Sequence, residues 1–126
     1  MLTRLQLIGV TRGLNHLHNN EVILGDLGGV SGVHSAIFLT KICSQSNVLI
    51  DTEGNPRLHN FTHCLFTKNT DPANILAPSY GYTFRYCAPE RFGVEGPMKE
   101  PTMMSDVYAL SMVIVEVCLF SNSNSS

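Results

Sequence analysis

The chain has 126 residues, enough for one domain with its own core, since single domains commonly run about 100–150 residues. Eight basic residues stand against ten acidic ones, a net charge of −2, and no basic stripe argues for a nucleic-acid partner. Cys43, Cys64, Cys87 and Cys118 are widely spaced without a C-x-x-C, and no charged stretch precedes an apolar one at the N-terminus, so a cytoplasmic (intracellular) protein with reduced thiols is expected.

Leu7, Val10, Leu14 and Leu17 recur at helical spacing and predict a helix over 3–18, stopped by the turn chemistry of Asn19-Asn20. Glu21-Val22-Ile23-Leu24 reads as a short strand. Val48-Leu49-Ile50 and Arg57-Leu58-His59 flank Asp51-Thr52-Glu53-Gly54-Asn55-Pro56, the pattern of a small hairpin with a polar turn. Residues 62–81 hold no sustained period and include Pro72, Pro78 and Gly81, which predicts an irregular segment. From Asp106 to Phe120 only Asp106, Ser111 and Glu116 are not apolar, tyrosine counted as apolar, which predicts a buried core helix over 106–120. A bilayer span needs roughly 20 apolar residues and Glu116 interrupts this shorter run, so no membrane association is expected. The Ser/Asn tail over 121–126 is expected to be disordered.

Tyr82-Thr83-Phe84-Arg85-Tyr86-Cys87-Ala88-Pro89-Glu90, followed by Ser105-Asp106-Val107-Tyr108-Ala109-Leu110, closely resembles the end of a protein-kinase activation segment and the start of the central C-lobe helix. Upstream, Gly13-Leu14-Asn15-His16-Leu17-His18 resembles the helix end before a kinase catalytic loop, and Gly25-Asp26-Leu27 resembles the loop. Asn47-Val48-Leu49-Ile50-Asp51 is similar to the strand after it, and Asn60-Phe61-Thr62 to an altered D-F-G. The resemblance to the protein kinase superfamily covers 1–120 and about half of a two-lobed kinase domain. It implies an α+β fold: a partial C-lobe, mainly α-helical with a small β-hairpin and the N-lobe absent. No G-x-G-x-x-G or V-A-I-K string occurs in the sequence.

By the same resemblance the family activity is ATP- and Mg²⁺-dependent phosphorylation of protein Ser or Thr, Tyr not excluded. Asp26 stands where the catalytic base accepts the substrate hydroxyl proton, and Asn47 where the family binds the cofactor through Mg²⁺. The family places these residues five positions apart; here they are 21 apart. Removing Val30 to Gln45 restores the spacing and leaves a string similar to the H-G-D-L-K-G-x-N-V-L-I-D of many fungal kinase-like proteins. Val-Ser can be encoded by GTGAGT and Gln by CAG, the borders of an intron. Residues 30–45 are therefore read as a translated intron or as a genuine loop insertion. A loop that must hold two catalytic groups in one geometry argues against the second, as does the apolar run Ala36-Ile37-Phe38-Leu39. The insert is expected to bulge between Asp26 and Asn47 without a fixed packed position.

Other positions depart from the family. Leu24 and Gly25 replace the His and Arg of H-R-D, so an activation-loop phosphate lacks its usual charged partner. Gly28 stands where Ser/Thr kinases usually carry a lysine. Asn60 replaces the carboxylate that should bridge Mg²⁺ to ATP, and a neutral amide is a poorer ligand for a hard dication. Thr62 replaces the freely turning glycine. Ala88, Pro89, Glu90 and Asp106 are structural-motif residues: the family's ion-pair partner for Glu90 is lacking, and Asp106 is expected to bind catalytic-loop N–H groups. Thr83 is the candidate phosphosite, ahead of Ser79 and Tyr80. His16, His18, His59, His63 and Cys64 have no fixed tetrahedral meeting point, so no zinc-type site is expected. The expectation is a catalytically inactive kinase-like fragment. The alternatives are a pseudokinase module that binds a protein partner, or a gene-model fragment without function.

Overall fold

The computed structural model describes residues 3–28, 47–68, 84–93 and 99–122. The fold is α+β, with two helices and two small antiparallel sheets. Helix α1 spans Arg4–Asn19. Thr3 and Gln6 form a reciprocal cap at its start: the Gln6 N–H donates to Thr3 Oγ1 (3.3 Å) and the Thr3 N–H to Gln6 Oε1 (2.8 Å). The Thr-x-x-Gln spacing carries this signal in the sequence. Leu7, Val10 and Leu14 are buried along one face, with Leu17 packed beside them, as the period predicts. At the other end the Asn20 N–H donates to Leu17 O (3.0 Å), and Glu21 turns the chain away at φ 58°.

Strand β2 (Val48–Ile50) pairs antiparallel with β3 (Pro56–Leu58), Val48 opposite Leu58 and Ile50 opposite Pro56. The predicted hairpin is present, its second strand one residue earlier than the pattern suggests. Asp51 organises the turn: its Oδ1 accepts from the Glu53 N–H (3.0 Å) and the Asn55 N–H (2.8 Å), and its Oδ2 from Arg57 Nε (3.1 Å). These bonds, that of the Asn55 N–H foremost, hold the Asp51 carboxyl below its ordinary value. Gln6 Nε2 donates to Gly54 O (2.8 Å), fastening the turn to α1. The helix lies close on β3: an alanine Cβ at Gly9 would stand 2.4 Å from Pro56 Cγ.

Strand β1 (Val22–Ile23) pairs with β4 (Leu65–Phe66), Val22 opposite Phe66. This corrects the irregular segment expected from residue 62. Strand β1 falls within the strand read over 21–24, whereas the two residues of β4 show no period of their own, and only the pairing reveals them. The remaining expectations for 62–81 and for 30–45 lie largely or wholly outside the described residues.

Helix α2 spans Met103–Asn122, three residues earlier and two residues later than expected, so Ser121 and Asn122 of the supposed tail are helical. Thr102 and Ser105 exchange bonds at its start, Thr102 N–H to Ser105 Oγ (2.8 Å) and Ser105 N–H to Thr102 Oγ1 (3.1 Å). Ala109, Leu110, Val113 and Val117 meet the α1 face, Leu24, Leu27 and Val48 in one core. The expectation of burial on every side is corrected: Met104, Val107, Ile114, Val115 and Leu119 are exposed. They form one stripe opposite the core face, because residues 3, 4 and 7 apart share a side of a helix. The chain is accordingly expected to bind a hydrophobic dye and scatter light on concentration. Replacing Val107, Val115 and Leu119 with lysine should suppress both while the circular-dichroism helix signal stays; unchanged dye binding would place the apolar surface elsewhere.

Candidate functional site

The site is built around the loop 24–27 that follows β1. Asp106 is 2% exposed. Its Oδ2 accepts from the Leu24 N–H (2.8 Å) and faces His18 Nε2 (2.9 Å), and its Oδ1 accepts from the Gly25 N–H (2.9 Å). A carboxylate one turn into α2 thus satisfies two backbone donors of a loop some eighty residues upstream, the contact the resemblance implies for Asp106. His18 enters as its neighbour on α1, a place no metal-site reasoning gives it.

Gly25 sits at φ 84° with its backbone against the chain that precedes β4: an alanine Cβ there would lie 2.4 Å from His63 O. Packing therefore leaves no room for a side chain at this position. The carbonyl of Gly25 accepts from Arg91 Nη1 (2.9 Å), and Arg91 Nε donates to Lys99 O (3.3 Å). Arg91 is 7% exposed and was not singled out by the sequence patterns. Its only signal is its place directly after Ala88-Pro89-Glu90.

Asn47 is 1% exposed and its Nδ2 donates to Asp26 O. Asp26 and Asn47, 21 positions apart in the sequence, are thus brought together, as the resemblance implies. Asp26 itself is half-buried at the rim of a small cleft lined also by Tyr86, Cys87, Ala88 and Arg91. The His59 N–H donates to Asn47 O (2.8 Å), which brings the start of the 60–62 segment beside Asn47. Asn60 stands at φ 63°, and its Oδ1 accepts from Thr62 Oγ1 (2.5 Å). Its amide oxygen is thereby turned onto its own segment.

Ala88, Pro89 and Glu90 lie in and before a 3₁₀ turn at Pro89–Arg91, with Ala88 fully buried and Glu90 exposed. A second 3₁₀ turn, Phe84–Tyr86, packs on α2, where the Tyr86 hydroxyl donates to Glu116. Burial and the Glu116 carboxylate push the Tyr86 hydroxyl up to about 12, Arg85 opposing. Burial likewise raises the Cys87 thiol, with Arg91 opposing and Asp26 and Glu90 adding to the shift. Thr83 lies outside the described residues.

The donor set fits Mg²⁺-ATP poorly. A hard dication takes carboxylate oxygens; here Asn60 offers an amide whose oxygen already accepts from Thr62. The Asn47 side chain is bonded to Asp26 O through its nitrogen, a bond that does not use the oxygen a cation would take, so Asn47 by itself does not oppose the metal. Among the described residues no three His, Cys, Asp or Glu side chains gather as a metal site. No described helix is long and apolar enough to cross a membrane.

No family model matches the chain. It is 32% identical over 113 residues to a protein of Arabidopsis thaliana that carries the name G-type lectin S-receptor-like serine/threonine-protein kinase, covering 86% of this chain and 11% of that protein. It is 29% identical over 99 residues to a MAP kinase kinase of Schizosaccharomyces pombe, covering 79% of this chain and 25% of that protein. The chain thus spans a quarter or less of the length of either relative, and the similarity is a weak homology to protein kinases.

Proposed function

We propose that this chain is a segment of a protein-kinase-like C-lobe that does not itself transfer phosphate. The observation that carries the reading is the Asp106 carboxylate holding the N–H groups of Leu24 and Gly25 while Asn47 holds the carbonyl of Asp26. Two buried polar side chains from distant parts of the sequence serve one short loop, and that loop carries Asp26. The weak homology to two named kinases supports the kinase-like part of this reading.

The family activity, phosphorylation of protein Ser or Thr with ATP and Mg²⁺, asks for spread negative charge to be met by metal and cation. Asn60 and Gly25 stand where this chain would need a carboxylate and an arginine. The 126-residue chain, incubated with Mg²⁺-ATP and a general protein substrate, is expected to show no phosphotransfer above that of Asp26→Ala. Turnover that vanishes in Asp26→Ala would overturn the inactive reading. A solution structure in which Asp106 does not bind Leu24 and Gly25 would overturn the kinase-like one.

The exposed apolar stripe on α2 favours a second reading, a pseudokinase module that meets a protein partner there. A chain that stays monomeric and binds no dye would remove its support.

A further inference from the structure

We infer that Arg91 is the positioning residue for Asp26: with Asn47, it fixes the two peptide planes on either side of the Asp26 α-carbon. The Gly25 carbonyl and the Asp26 N–H belong to one rigid plane, so the bond from Arg91 Nη1 to Gly25 O (2.9 Å) sets the plane before Asp26. The plane after it carries Asp26 O, which accepts from Asn47 Nδ2. With both planes set, the direction of the Asp26 Cα–Cβ bond is set too.

The need for such a device comes from Gly25. Asp106 secures its N–H (2.9 Å), but a glycine remains free to rotate on the carbonyl side because it lacks the Cβ that restricts other residues. Arg91 removes that freedom. It is itself anchored: its N–H donates to Ala88 O (3.0 Å), its carbonyl accepts from the Lys99 N–H (2.9 Å), and its Nε donates to Lys99 O (3.3 Å). Gly25 thus lies between a buried guanidinium on its carbonyl side and a buried carboxylate on its N–H side. The planar fork reaches two carbonyls at once, which a lysine ammonium on a flexible stem does not reproduce.

Asp26 owes its interest to the kinase-like reading, on which the proposal rests for that residue, whereas the clamp stands on geometry, so either can fail without the other. Cys87 provides the readout, because Arg91, Asp26 and Glu90 are the charges that face its thiol. In the full chain labelled with ¹³Cβ-cysteine, the pH of Cys87 ionisation would be followed by NMR in wild type, Asp26→Asn, Arg91→Gln, Arg91→Lys and the two double variants. Asp26→Asn is expected to lower that pH in the wild-type background. In both Arg91 backgrounds the Asp26→Asn effect should shrink by at least half, although Arg91→Lys keeps the positive charge. An undiminished effect in the Arg91→Lys background would overturn the proposal, since Asp26 would then hold its place without the fork. Loss of the α1 and α2 helix signal in Arg91→Lys would overturn it as well, by showing that Arg91 supports the whole core and not the loop. Should Arg91→Gln unfold, the lysine variant carries the comparison.

Discussion

Gly25→Ala is expected to destabilise the chain by about 2–5 kcal/mol, combining the left-handed backbone penalty with overpacking. The backbone there lies at φ 84°, and the added Cβ would stand 2.4 Å from His63 O and 3.2 Å from Pro101 Cγ. The close atom is a backbone oxygen just before β4, so relief requires β1 and β4 to move apart. Gly54→Ala separates the two causes, because Gly54 has φ 86° with nothing within 4 Å of an added Cβ. That variant should cost only the conformational part, about 1–2 kcal/mol. Urea midpoints from circular dichroism would check both; equal costs would show that the chain before β4 yields easily. Gly25→Arg, which puts a far larger side chain at the same place, should break the β1–β4 pairing.

Asp106→Ala is expected to cost about 3–5 kcal/mol, the scale for leaving buried polar partners uncompensated. Two backbone donors, of Leu24 and Gly25, lose their acceptor at 2.8 and 2.9 Å, and His18 loses its neighbour. Water has little access to replace it, because Leu24 and Gly25 are themselves buried. Asp106→Asn should fall between wild type and alanine: one carboxamide oxygen remains, but its NH₂ faces a donor. Hydrogen exchange resolved by residue is the decisive measurement. The N–H groups of Leu24 and Gly25 should exchange faster in both variants by a larger factor than those of the central turns of α1. A uniform increase along the chain would mean that Asp106 stabilises the core at large and has no special hold on the loop.

Much of this molecule was readable from its residues. The apolar period of Leu7, Val10, Leu14 and Leu17 marked α1 and its buried face, since a helix brings residues three and four apart to one side whatever surrounds it. The hairpin was readable because Asp51, Gly54 and Asn55 carry their turn chemistry locally. The bonds of the Leu24 and Gly25 N–H groups to Asp106, and that of Asn47 to Asp26 O, join positions that the motifs around them mark in the sequence.

What the residues did not reveal depends on closure between distant segments. Strand β1 lies within the strand read over 21–24, but its two-residue partner β4 carries no pattern long enough to announce itself and exists only because Phe66 meets Val22. Arg91 looks like a surface residue until Gly25 and Lys99 bring carbonyls to it. Helix α2 is apolar on both sides, so its composition predicts burial all round. Composition reports what a side chain prefers, and only the folded chain decides what is there to cover it; here the core reaches Val117 and leaves Leu119 in water.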